Sequence, residues 1–241
     1  MRFLKVNLFG PMQSWGGHTY ENYRPTYGFP TRSAVTGLFA AALGIDRTDV
    51  RGTEDVDRSF RYAVREMRKT TKREGGGNFP LPLRKMVDYH TVRNVRTTTP
   101  GKVKNEITRR EYLLDAGFVL MAASSGPEAP YSLDDLGNAL RAPVFTLFLG
   151  RKACPPTVPF FGGYAEAPCV ERAFALADGV RSVLHGGVAG GTVYSEFAPD
   201  EDIVGSGLYG TVSVRDLRTA PGKFLARDMY YFTLPAAGET E

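Results

Sequence analysis

The sequence predicts an α+β fold, and three patterns carry that prediction. Residues 3–9 and 59–67 alternate apolar and polar side chains with a period of two, as strands with one buried face do. Between them, residues 31–44 repeat apolar side chains at helical spacing. Beyond residue 150, glycine and proline cut the chain into short apolar runs, the pattern of a β-rich region.

In residues 3–9, Leu4, Val6 and Leu8 face one side and Phe3, Lys5, Asn7 and Phe9 the other, which predicts a strand with one face on a helix and a mixed outer face. Residues 10–27 form a loop carrying Gln13, the single tryptophan Trp15 and several tyrosines. Thr31 or Ser33 is a natural N-cap for the helix that follows, Val35, Leu38, Phe39, Ala42 and Leu43 share one face, and Gly44 supplies a C′ stop. A helix start with an arginine, Arg32, and free N–H groups suits a phosphate, although most such helices are simply core. In residues 59–67, Phe60, Tyr62 and Val64 oppose Arg61, Ala63 and Arg65, a face that fits either a groove tracking a nucleic-acid backbone or a solvated edge.

Residues 69–83, with three glycines at 75–77 and prolines at 80 and 82, are poor in order signals, and residues 68–109 read as a long excursion between two strands. Residues 111–122 predict a strand with Tyr112, Leu114, Ala116, Phe118 and Leu120 on one face. Ser132, followed by Asp134 and Asp135, caps a second helix through Leu140, and residues 144–149 predict a closing apolar strand. Past a domain boundary at residue 150 come a short helix at 170–176 and strands at 192–197, 209–217 and 224–234. Gly186, Gly187, Gly190 and Gly191 read as a flexible loop able to approach a backbone closely, and residues 236–241 as a disordered tail.

Composition narrows the function. A hydrophobic share of 42% with 12% aromatics supports a proper core. No apolar run approaches the roughly 20 residues of a membrane span. The first ten residues alternate too regularly for a signal peptide, and Cys154 and Cys169 form neither a disulfide framework nor a zinc motif, so the expected compartment is the cytoplasm. The net charge of +4 is unevenly placed. Residues 61–110 hold fourteen basic against four acidic side chains, a local charge of +10 that leaves −6 for the remainder. Such asymmetry points to a polyanion, and the interleaved Phe79, Tyr89 and His90 favour RNA over a merely soluble insertion.

No catalytic or metal-binding constellation accompanies these features. His18, His90 and His185 have no H-E-x-x-H or paired-carboxylate context, and the glycines flanking Ser206 lack a hydrolase elbow. The alternative function is metal-independent RNA cleavage, with Tyr89, His90 and Lys85 supplying acid and base.

Six blocks of the sequence fit one family in order. They are GPMQSWG at 10–16, RPTYGFPTRSAVTGLFAAALG at 24–44, Asp88-Tyr89-His90-Thr91, Arg110-Glu111-Tyr112-Leu113 with Asp115-Ala116, Leu149-Gly150-Arg151-Lys152 with Cys154-Pro155, and Phe224-Leu225-Ala226-Arg227-Asp228. Together they resemble the CasD-type subunits of Cascade, the CRISPR RNA-guided surveillance complex, type I-E-like members of the RAMP superfamily. The resemblance implies a ferredoxin-like or RRM-like domain over residues 1–150, interrupted by a basic thumb at 68–110, and a smaller β-rich region over 151–241. It implies a non-catalytic subunit that needs no cofactor and holds the 5′ handle of the guide RNA. Implied partners are the CasC-type backbone subunit, the CasA-type large subunit and target DNA near the guide duplex.

On this reading Gln13, Trp15, Arg24, Thr31, Arg32 and Ser33 cradle the handle, with Trp15 or a neighbouring tyrosine under a base and Arg32 on a phosphate. Trp15 as a cavity-filling core residue is an equal alternative. Tyr89 and His90 stack on or contact RNA phosphate, or anchor the strand at the thumb base, and Arg109, Arg110, Arg151 and Lys152 grip the handle backbone. Arg93, Arg96, Lys102 and Lys104 brace the first turn of duplex without reading its sequence.

Overall fold

A computed structural model describes residues 1–17, 22–72, 78–97, 101–177, 188–189, 191–205, 209–220 and 223–234. Strand β1 (Arg2–Phe9) leads into a loop of short strands, β2 (Met12–Gln13), β3 (Trp15–Gly16), β4 (Tyr23–Arg24) and β5 (Thr26–Tyr27). Helices α1 (Arg32–Leu43) and α2 (Val50–Ser59) then cross to β6 (Phe60–Glu66). Next come β7 (Arg68–Lys72), β8 (Asn78–Pro80) and a long hairpin of β9 (Arg84–Arg96) and β10 (Val103–Leu114). The chain returns through β11 (Gly117–Ser124), α3 (Leu133–Arg141), β12 (Phe161–Glu166) and α4 (Val170–Ala177). It ends in β13 (Val188–Ala189), β14 (Thr192–Ser195), α5 (Glu201–Val204), β15 (Tyr209–Ala220) and β16 (Lys223–Thr233).

Seven strands form one antiparallel sheet in the order β12-β1-β11-β6-β14-β16-β15, so strands from both sides of residue 150 share it. Period-two alternation builds a core on each face. Leu4, Val6, Leu8, Tyr62, Val64, Phe118 and Leu120 pack against Val35, Leu38 and Phe39 of α1 and Leu136 and Leu140 of α3. Phe3, Phe9, Ala63, Val119 and Met121 pack on the other face with Ala173 and Phe174 of α4, Phe197 and Phe232. The expectation that the second face of residues 3–9 and of residues 59–67 is an outer one is therefore corrected. Phe3 and Phe9 are buried, as are Lys5 and Arg65, because α4 and the segment after β14 that carries Phe197 and Val204 return to cover that face. No helix among the described residues is long and apolar enough to cross a membrane.

Local signals set the helices. The Gly44 C-cap takes φ 81°, and its N–H donates to the Ala40 and Ala41 carbonyls, a left-handed stop that suits glycine. Ser132 and Asp135 form a reciprocal capping box, with Asp135 N–H to Ser132 Oγ at 3.1 Å and Ser132 N–H to Asp135 Oδ2 at 2.9 Å. The Ser132 hydroxyl and amide hold the Asp135 carboxyl below its usual pKa. Ser132→Ala is expected to cost about 1 kcal/mol of stability. Since the folded-state pKa is depressed, this contribution is present above the ordinary Asp value and fades as pH falls through the folded one. Urea melts at pH 7 and pH 3 check it: the gap between wild type and Ser132→Ala should narrow in acid.

Helix α2 has no counterpart in the sequence expectation. Its sequence, VRGTEDVDRS, buries only Val56 and Ser59, so it lacks an apolar stripe; Asp49 starts it by accepting the Gly52 N–H at 2.9 Å. The strand expected at 111–122 is two strands. Asp115 sits at φ 50°, a left-handed turn whose N–H donates to the Pro11 carbonyl at 2.9 Å, and only the part beyond it joins the sheet. The apolar run at 144–149 is not a strand. Its Val144 and Phe145 amides donate to the Ala42 and Ala41 carbonyls and so finish the end of α1, and β12 takes the sheet position beside β1. Helix α4 and strands β14, β15 and β16 lie where the sequence patterns predict helix and strand. Gly186, Gly187 and Gly190, residues 73–77 and the tail at 236–241 lie outside the described residues. Gly191 does approach a backbone closely: a Cβ there would stand 1.7 Å from the Glu66 carbonyl oxygen.

Candidate nucleic-acid interface

Strands β9 and β10 pair from Arg84 opposite Leu114 to Arg96 opposite Val103. Thirteen residues of β9 span roughly 40 Å at about 3.3 Å per residue. A bulge between Lys104 and Glu106, facing Asn94 at φ 57°, bends the distal part. Arg93, Arg96, Lys102 and Lys104 are all exposed in this distal half, Lys104 with Glu106 at 3.3 Å. Because opposed residues of an antiparallel pair share a face, Tyr89, 62% exposed, stands with Arg109 on one side. His90 stands with Thr108 on the other, its Nδ1 2.7 Å from Asp88 Oδ2.

The base of this hairpin gathers residues far apart in sequence. Strand β4 runs parallel to β10, with Tyr23 beside Arg109 and Arg24 beside Arg110, and the Arg109 N–H donates to the Asn22 carbonyl at 2.8 Å. Gly150 at φ 91° lets the chain pass the loop: a Cβ there would lie 1.8 Å from the Ser14 carbonyl oxygen. The next residue, Arg151, stacks over the Tyr112 ring at 4.7 Å and donates to the Glu111 carbonyl at 3.0 Å and the Arg24 carbonyl at 3.2 Å. Arg24, Arg109 and Lys152 are exposed, and Arg110 is half-buried with Nε on Thr108. The sequence-predicted residues thus gather at the hairpin base on two faces: Arg109 shares one with the exposed Tyr89 ring, and Arg24 and Arg110 share the other, with Arg151 and the exposed Lys152 on the adjoining segment.

Other predicted contacts lie elsewhere. Trp15 is fully buried, its Nε1 donating to Gln13 Oε1 at 3.0 Å. Gln13 Nε2 donates to the Leu8 and Ala116 carbonyls at 2.9 and 2.7 Å, so its amide is spent inside the fold. The handle roles of Gln13 and Trp15 are corrected to core roles: a side chain without surface cannot stack a base. Thr31 is buried as well, and Ser33 is half-buried on a cleft between α1 and residues 146–150.

Arg32 belongs to a charge network rather than to an open anion site. Its N–H at the start of α1 donates to Asp216 Oδ2 at 2.6 Å, so a carboxylate from β15 already occupies the helix N-terminus. Its guanidinium bonds Asp57 at 2.8 Å and Glu196. Arg227 from β16 joins Glu196 at 3.1 Å and Asp216 at 2.7 Å. Burial lowers the Arg32 pKa, but the Glu196 and Asp57 charges outweigh it and leave it raised. Recruiting Arg32 to RNA would strip the buried Glu196 and the half-buried Asp57 of a partner.

Glu111 has a role that sequence reasoning misses, although its block is one of the six. Its carboxylate accepts the Tyr23 hydroxyl, the Thr26 N–H at 2.9 Å and Lys85 Nζ at 3.4 Å. The available signal is a lone acid immediately after two arginines within a basic run.

A long basic hairpin beside an antiparallel sheet packed with helices is an architecture that suits a nucleic-acid partner, and comparison with known sequences gives the family. The family described as CRISPR-associated protein (Cas_Cas5) matches residues 3–219, and the chain belongs to it. It is similar to the CRISPR system Cascade subunit CasD of Escherichia coli (strain K12), 35% identical over 232 residues that cover 95% of this chain and 94% of that protein. Among solved structures it resembles a chain of a CRISPR RNA-guided surveillance complex, with TM-score 0.62 and 26% identity over 97% of this chain and 90% of that one. A crystal structure of a Cas protein matches at TM-score 0.59 and 28% identity over 97% and 95%.

Proposed function

We propose that this protein is a non-catalytic RNA-binding subunit of a Cascade-type surveillance complex and that it holds the 5′ handle of the guide RNA on the base of the β9–β10 hairpin. The observation that carries the reading is the gathering at the hairpin base of basic side chains from three distant segments: Arg24 with Arg110 on one face, beside Arg151, and Arg109 with Tyr89 on the other. Arginines hold phosphates while Tyr89, across from Arg109, supports an unstacked base. The hairpin is the family's thumb, and its distal Arg93, Arg96, Lys102 and Lys104 meet the backbone of the guide–target duplex. The order β12-β1-β11-β6, with α1 and α2 in one crossover and α3 in the other, supports a ferredoxin-like unit. We assign handle binding to that unit, from residue 1 to about 150 plus β12, and packing support to the β-rich remainder. CasC-type and CasA-type subunits are the proposed neighbours, with target DNA beyond the hairpin tip, in the cytoplasm.

Cleavage by Tyr89 and His90 is disfavoured by strand geometry: adjacent strand residues project to opposite faces, so the two cannot meet at one phosphate. Lys85 is committed to Glu111 and the Thr26 carbonyl.

The test is binding of the purified chain to guide RNA in EDTA across a salt series, with cleavage scored in the same gel. Binding without cleavage is expected. Arg24→Glu with Arg109→Glu should weaken it and lower the slope of log affinity against log salt by about 0.7 for each phosphate that is no longer neutralised. An unchanged slope would remove this surface from the RNA path, and metal-independent cutting lost in His90→Ala would make the chain a nuclease.

A further inference from the structure

We propose that Glu111 is a positioning residue that sets selectivity for the handle, by clamping the aromatic loop, the hairpin base and the Arg151 segment into one rigid cradle. The proposal deepens, and rests on, the handle-binding reading above. A carboxylate among Arg24, Lys85, Arg109, Arg110 and Arg151 opposes a polyanion by its charge. On electrostatics alone, its removal should tighten binding to any RNA.

Its bonds run the other way. Oε1 accepts the Tyr23 hydroxyl and Oε2 accepts the Thr26 N–H at 2.9 Å, fixing both ends of the segment that carries Arg24. Strand β4 is only two residues long, Tyr23 and Arg24, too short to hold its place beside Arg109 and Arg110 by ladder bonds alone. Oε2 also draws in Lys85 Nζ, which bridges on to the Thr26 carbonyl at 3.1 Å. The Glu111 carbonyl accepts Arg151 Nη1 at 3.0 Å and Ser14 Oγ at 3.2 Å. One residue therefore fixes the spacing of Arg24, Arg109, Arg110 and Arg151. Burial raises the carboxyl's pKa, but the Tyr23 hydroxyl, the Thr26 amide and Lys85 outweigh it, so the group stays ionised at neutral pH. Preset spacing favours one RNA conformation over others, since a loose set of arginines binds any polyanion and selects none.

Glu111→Gln is the informative change. A carboxamide keeps one acceptor oxygen and no charge: with that oxygen on Thr26, Tyr23 must reverse to accept the NH2 and the ion pair to Lys85 is lost, and with the amide turned over, Thr26 and Lys85 face an NH2. The full chain is titrated with a 5′-handle RNA cut from the CRISPR repeat of its source genome and with a scrambled RNA of the same length and composition. Melting temperature is recorded for each variant. Wild type should prefer the handle; Glu111→Gln should bind the handle about tenfold more weakly and the scrambled RNA more tightly. Tyr23→Phe, which removes one exposed bond and leaves the charge, should lower handle affinity without tightening scrambled RNA, and it decides the matter if Glu111→Gln fails to fold. If both RNAs tighten together in Glu111→Gln, or selectivity is unchanged in the folded variants, Glu111 does not position the site. A wild type that binds both RNAs equally would overturn the handle reading together with this one. A selective wild type with a selective Glu111→Gln would overturn this one alone.

Discussion

Trp15→Ala is expected to lose about 3–5 kcal/mol of folding stability, the range for truncating a fully buried large aromatic. The ring is fully buried in the core beside α1, and its N–H holds the Gln13 carboxamide in the orientation that ties β1 and the Ala116 turn together. Deleting it opens a cavity and also leaves Gln13 Oε1 without its donor. Against a typical domain stability of about 5–15 kcal/mol, that is about a fifth of the total or more. Trp15→Phe should lose less and leave RNA affinity per folded molecule unchanged. Urea melts followed by filter binding measure both. A Trp15→Phe protein that is folded yet binds the handle poorly would return Trp15 to the RNA surface.

The second large effect is expected at Glu196, just after β14. Its carboxylate joins Arg32 and Arg227, and its Oε2 accepts the Tyr62 N–H at 3.0 Å. Side-chain exposure is 13% for Arg32, 11% for Arg227 and 9% for Glu196. Removing the acid leaves each guanidinium with one carboxylate, Asp57 or Asp216, and leaves Arg32 Nη1, Arg227 Nη1 and the Tyr62 N–H short of an acceptor away from water. Glu196→Ala should cost about 3–5 kcal/mol. For a chain of this size that lowers the melting temperature by about 6–20 °C. Glu196→Gln should fall between, because it keeps an acceptor and loses the charge. A drop under about 1 kcal/mol for Glu196→Ala would mean that water already reaches the cluster. The network ties α1 to β15 and β16, so hydrogen exchange in those strands should quicken in Glu196→Ala before that of β1 or β11.

The block RPTYGFPTRSAVTGLFAAALG illustrates how far local rules reach. Helix start, apolar face and glycine stop are all written within it, and α1 runs from Arg32 to Leu43. Ser132 and Asp135 likewise cap α3 through bonds three residues apart. The basic run at 61–110 is legible because charge needs no partner to be counted. Glu111 is legible as an anomaly and not as a clamp, since its bonds reach back 85 residues to Thr26.

Residue order by itself determined the alternation of β1 and β6, the two capped helices, the excess charge of the hairpin and the motif blocks that mark the family. Tertiary structure decided which surfaces those elements keep. Period-two alternation says that β1 has two faces; only the return of α4 at residue 170 makes both of them buried. Spacing says that Arg32 opens a helix; only Asp216, 184 residues later, fills the site its N–H offers. Arg24 and Arg151 stand 127 residues apart and meet through one hydrogen bond. Short-range sterics and hydrogen bonding are encoded within a turn or a strand, whereas burial and ion pairing depend on which distant segment arrives, and that is settled by packing of the whole chain.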